Sequence, residues 1–133
     1  MKPQTQRTGA AAVEFALITP FLFLMLIGMV EFGRSLMIHQ SVTAASRAAA
    51  REAVLPSATV ESTEAIALDH TLQIPDEDVV ISITPDPSQA NAGDMITVTV
   101  EVPVEAMTKM GEVWFGNGST ISAKSSMRKE GYQ

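Results

Sequence analysis

The chain has no cysteine. Disulfide staples and thiolate-ligated metals are therefore excluded, although compartment stays open on that ground. Catalytic signatures are missing too. No Gly-x-Ser-x-Gly elbow and no phosphate-cradling loop occurs, and none of the many serines has a recognisable base beside it. The two histidines, His39 and His70, stand too far apart for a metal-ligand spacing. Asp76-Glu77-Asp78 lacks the alternating oxygen ligands and turn glycine of a calcium loop and reads as a solvated turn. Asn117-Gly118-Ser119 fits a glycosylation sequon but reads here as a turn. There is no internal repeat and no low-complexity tract. No enzyme activity, cofactor, metal site or small-molecule substrate is expected.

Positive charge is also scarce. Nine Lys and Arg face fifteen Asp and Glu, a formal net charge of −6. The first nine residues contain Lys2 and Arg7 and no acid, so a chain lacking them carries −8. Such a product is a poor match for nucleic acid, whose binding depends on phosphate neutralisation. At 133 residues the chain has room for one modest domain.

What the chain does have is one long apolar run. Phe15 to Val30 holds 16 residues without a charge, and counting from Ala10 gives 21 with Glu14 as the sole exception. About 20 helical residues at 1.5 Å each cross a hydrocarbon core of roughly 30 Å. Lys2 and Arg7 precede the run, so the positive-inside rule keeps the N-terminus cytoplasmic, although Glu31 beside Arg34 makes the asymmetry weak. A cleaved secretory signal fits poorly. The run exceeds the usual 7–15-residue apolar core, and its exit, Val30-Glu31-Phe32-Gly33-Arg34, is no small-x-small site. Glu14 then stands out, because a carboxylate inside an apolar span needs a partner. A cut after Gly9 would create one, the new α-amino group of Ala10. The alternative is a carboxylate snorkelling to the nearby interface, since four residues span only about 6 Å of helix.

These residues carry a resemblance. A short basic leader, Gly9, Ala10, then Glu14-Phe15 resemble a type IV prepilin processing site. With the apolar helix, the Ala-rich continuation to Arg51 and the closing segment Ile121 to Glu130, the chain resembles the TadE-like minor pilins (pseudopilins) of bacterial tight-adherence (Tad) pilus systems. The resemblance implies a substrate rather than an enzyme. A membrane prepilin peptidase would cut between Gly9 and Ala10. Glu14, followed by Phe15, would pair with the freed amine on its own chain or a neighbour. Other pilins and Tad assembly proteins would be the partners, in systems that support adherence and biofilm formation. The implied location is the bacterial inner membrane, single-pass, with the C-terminal domain periplasmic and possible entry into a pilus. Two other readings use the same residues: an uncleaved, anchored periplasmic binding module, and an accessory pseudopilin of a type II-like secretion machine.

Periodicity supplies the architecture. Three segments are expected: a leader at 1–9, a transmembrane and extended pilin helix at 10–55, and an α+β globular domain at 56–133. Glu31 to Val54 is proline-free and alanine-rich and should continue the helix, with Phe32, Leu36, His39, Thr43 and the Ser46/Ala50 region as its stripe. Pro20 should loosen or kink it, or be a tolerated membrane proline. Pro56 should end it. A second helix is expected from a Ser57 cap to about Gln73, with Ala65, Leu68 and Leu72 apolar and Glu61, Glu64 and Asp69 wet. Period-two alternation then predicts strands with Val79, Ile81 and Ile83 inward, and with Ile96, Val98, Val100 and Val102 inward. A third strand is expected over 120–127, with Ile121, Ala123 and Met127 inward. Met107, Met110 and Trp114 recur at helical spacing between the second and third strands, suggesting a short helix packed on the sheet, or alternatively a protein-binding knob that includes Phe115. The expected fold is α+β: a long helix, a second helix and a small three-stranded antiparallel sheet.

Overall fold

A computed structural model describes residues 7–71, 74–104 and 118–131. It contains a long helix α1 (Arg7–Ala53), a short helix α2 (Val60–Asp69) and strands β1 (Val80–Thr84), β2 (Met95–Pro103) and β3 (Thr120–Arg128). The fold is α+β, as the change of period along the chain predicts. The expected helix at Glu105–Phe115 lies outside the described residues.

The chain divides into two compact units, 1–34 and 35–133. In the first, α1 carries the apolar run. Its large side chains are exposed throughout, among them Phe15, Leu17, Phe21, Phe23, Met25 and Val30. Helical assignment runs unbroken through Pro20, and the preceding Thr19 hydroxyl donates to the Phe15 carbonyl at 2.6 Å. This segment makes α1 a helix long and apolar enough to cross a membrane.

The second unit is built on the sheet, ordered β1-β2-β3 and antiparallel throughout. Ile81 sits opposite Val100, which sits opposite Ala123, and Ile83 shares its row with Val98 and Ser125. This register sends Ile96, Val98, Val100 and Val102 to one face, where all four are fully buried. Ile81, Ile83, Ile121, Ala123 and Met127 pack beside them, as alternation requires of a sheet with one wet side.

The second half of α1 supplies the other layer. Ile38, Val42, Ala45, Ala49, Ala50 and Ala53 are all buried in one cluster with the β2 valines. Of the expected stripe, Ser46 and Ala50 are buried and Thr43 half-buried, whereas Phe32, Leu36 and His39 are exposed and Ile38 and Val42 are inside instead. The four alanines present little side chain and let the sheet approach the helix backbone beside Ile38 and Val42. Ser46 is buried in the same face, and its Oγ lies 2.9 Å from Ser125 Oγ on β3. That pairing gives the buried Ser46 hydroxyl a partner on the half-buried Ser125.

Two further details differ from the sequence reading. Helix α2 is shorter than expected, and its cap is Thr59 rather than Ser57. Thr59 Oγ1 accepts from the Ser62 amide at 3.1 Å while Ser62 Oγ accepts from the Thr59 amide at 3.1 Å, a reciprocal capping box. Within α2 the buried residues are Thr63 and Ala67, whereas Ala65 is exposed and Leu68 half-buried. Thr63 is tolerated inside because its hydroxyl donates to the Thr59 carbonyl at 2.8 Å. Helix α1 closes at Ala53, three residues before Pro56.

The end of β3 is clasped to its surroundings. The Lys129 amide donates to Asp94 O at 2.8 Å and the Gly93 amide to Lys129 O at 3.0 Å. The buried Lys129 ammonium donates to the Pro87 carbonyl, and the Glu130 amide reaches Val54 O at 3.3 Å. Gly93 has φ +93°, a conformation that other L-residues resist.

Candidate processing and assembly site

The residues singled out near the N-terminus all fall on the first turns of α1. Gly9 and Ala10 are exposed and helical, and beyond its chain neighbours and the local helix backbone nothing described lies within 4 Å of where a Gly9 side chain would begin. Glu14 is four residues beyond Ala10, so the two positions share one helix face, about 6 Å apart along the axis. Phe15 is adjacent and 66% exposed. Every position from 9 to 18 is exposed. The face is a bare strip whose apolar surface and single carboxylate are open to a neighbour or to lipid.

The capacity of this arrangement is electrostatic. An amine generated at Ala10 would lie one helical turn from the Glu14 carboxylate, within reach of its flexible side chain. At the other end of the apolar run, Glu31 has one carboxylate oxygen, Oε2, with neither exposed surface nor a hydrogen-bond partner.

The remaining candidates fall elsewhere. His39 is exposed on α1, and the His70 ring lies 3.0 Å from the Ile66 carbonyl through Nδ1, closing the end of α2. Among the described residues, no group of three His, Cys, Asp or Glu is disposed to hold a metal. Asp76-Glu77-Asp78 forms a single 3-10 turn at the surface. Asn117 lies outside the described residues, and Gly118 takes φ +80°. Met107, Met110, Trp114 and Phe115 also lie outside them.

Polar positions that sequence reasoning passed over are Asp86, Arg47 and Arg51. Asp86 Oδ1 accepts from the Ser88 hydroxyl at 2.6 Å and the Ser88 amide at 2.8 Å. The Ser88 hydroxyl, then its amide, hold the Asp86 carboxyl below the usual range. Arg47 and Arg51 project from the outer side of α1. The available signal was a charge pattern: from Glu52 to Thr108 there are eleven acids and no Lys or Arg.

Comparison with known proteins agrees with the N-terminal motif. No curated protein and no solved structure matches the chain significantly. A protein-family model described as TadE-like protein matches residues 9–51. The match opens on Gly9 and contains Ala10, Glu14, Phe15, the whole apolar run and the Ala-rich half of α1. Over residues 9–51, then, the chain is similar to the TadE-like family.

Proposed function

We propose that the chain is a minor-pilin (pseudopilin) precursor of a Tad-type pilus, a substrate of the assembly pathway rather than an enzyme. A membrane prepilin peptidase cuts between Gly9 and Ala10. The mature protein keeps its apolar helix in the inner membrane with the 35–133 unit on the periplasmic side. From there it joins other pilins and Tad assembly proteins in building a structure used for adherence.

The observation that carries this reading is the fixed spacing of Gly9, Ala10, Glu14 and Phe15 at the head of an exposed apolar helix, inside the TadE-like match. The physical logic links cleavage to assembly. Before cleavage, Glu14 is an uncompensated charge at the edge of an apolar span. After it, the Ala10 amine supplies the opposite charge on the same helix face. A subunit that is cut thus becomes compatible with an apolar bundle, and an uncut one does not.

N-terminal sequencing of the protein from membranes of its native host tests this. The sequence Ala-Ala-Ala-Val-Glu is expected. Gly9→Leu should leave the leader in place, because a bulky side chain replaces the small residue at the cut. An intact Met1 terminus in a chain that still supports pili would overturn the reading and favour an uncleaved, anchored periplasmic module.

A further inference from the structure

The 35–133 unit carries one basic and one acidic helical stripe, both exposed. On α1, the positions Gln40, Ala44, Arg47 and Arg51 are all exposed and follow one another at four, three and four residues, so they form one stripe. This stripe lies on the side of α1 away from the sheet, because Val42, Ala45, Ala49 and Ala53 occupy the buried side. The two arginines are one turn apart, a like-charge spacing that disfavours a helix. No carboxylate compensates them within the helix. The positions three and four residues from Arg47 are Thr43, Ala44, Ala50 and Arg51, and those from Arg51 are Arg47, Ala48, Val54 and Leu55.

Helix α2 presents the complement. Glu61, Ala65 and Asp69 are exposed at successive intervals of four, again a single stripe, and α2 contains no basic residue. Both stripes have an alanine among their charges. Ala65 is an apolar residue that the fold leaves outside, and Ala44 matches it on α1. Small residues at those positions let two helix backbones come close enough for flanking charges to meet.

We propose that these stripes bind each other between two copies of the chain. The Arg47/Arg51 face of one copy receives the Glu61/Asp69 face of the next. The contact is heterologous, since each copy uses one surface to give and a different one to receive. Repetition therefore extends a row of subunits unless the rotation happens to close a ring. Copies inserted in one membrane share an orientation, so every copy offers both faces in the same sense. Cleavage at Gly9 is not required for this contact, so the docking and the processing reading fail separately.

The absence of cysteine makes the test clean. Full-length Ala44→Cys and Ala65→Cys chains, carrying different tags, are co-expressed in membranes and treated with a short bis-maleimide. A mixed 44–65 cross-link is expected to dominate over 44–44 and 65–65 products. Reversing one face in all copies, by R47E/R51E or by E61R/D69R, should reduce it roughly tenfold or more, since like charges then face each other. Pairing an Ala44→Cys chain carrying R47E/R51E with an Ala65→Cys chain carrying E61R/D69R should restore it, and that rescue also shows that both variants fold. High salt should weaken it. Dominant 44–44 or 65–65 products would mean a symmetric contact and overturn the proposal. So would a 44–65 yield indifferent to charge reversal, or cross-linking of these positions only to a different protein.

Discussion

Removing the second half of α1 should unfold the 35–133 unit, even though that helix could be mistaken for a mere extension of the apolar run. The comparison is between a fragment beginning at Ser35 and one beginning at Ser57. The shorter one loses Ile38, Val42, Ala45, Ala49, Ala50 and Ala53, half of the twelve residues in the buried cluster. Full burial contributes about 1.5–3 kcal/mol for each of Ile38 and Val42 and about 0.8 kcal/mol for each of the four alanine methyls, together roughly 6–9 kcal/mol as an upper bound. Folded domains of this size are stable by about 5–15 kcal/mol in total. The loss is therefore comparable with everything that holds the unit together, and it strips the cover from four buried β2 side chains. The Ser46–Ser125 hydroxyl pair and the Glu130 amide bond to Val54 O go as well. Circular dichroism and urea titration are the assays. The Ser35 fragment should show helix and strand signals and one cooperative transition. The Ser57 fragment should show neither a transition nor dispersed amide resonances. A cooperatively folded Ser57 fragment, within about 2 kcal/mol of the longer one, would refute the view that α1 completes this core.

Glu14→Ala should insert into membranes as well as the parent or better, yet fail to co-purify with pilus partners. Breaking one side of a buried ion pair costs about 3–5 kcal/mol, and unimpaired assembly would reduce Glu14 to an interfacial carboxylate. Gly131→Ala should destabilise the 35–133 unit by about 1–3 kcal/mol in urea titration, because overpacking forces neighbours to move. The added Cβ would fall 2.0 Å from Ala92 Cβ and 3.2 Å from Ala92 Cα. Ser88→Ala should raise the Asp86 pKa toward that of an ordinary carboxyl, read by NMR titration. Since the Ser88 bonds lower the Asp86 pKa, their contribution is present above the unfolded-state pKa and is lost as pH falls through the folded one, so the variant should be less acid-sensitive than the parent.

The sequence by itself determined the elements governed by local period and by solvent. A run of 16 uncharged residues dictates an apolar helix whatever surrounds it. The β2 alternation fixes which valines are buried, because a strand shows its sides in strict turn and only one side of this sheet is dry. The helical spacing that puts Ala10 and Glu14 on one face could be read the same way, since it depends only on their separation in the chain. The tertiary structure decided what depends on a partner surface. Several small residues share the Ala-rich half of α1, so more than one stripe could serve as its buried side. The sheet selected Val42, Ala45 and Ala49 because alanine lets a helix approach closely, and it left Phe32 and Leu36 outside. Thr59 won the cap of α2 over Ser57 because Ser62 stands three residues on to complete the reciprocal bonds. Arg47 and Arg51 likewise acquired significance only once the fold left them exposed on α1 and the α2 acids exposed on a second helix, which neither residue's neighbours in the chain could reveal.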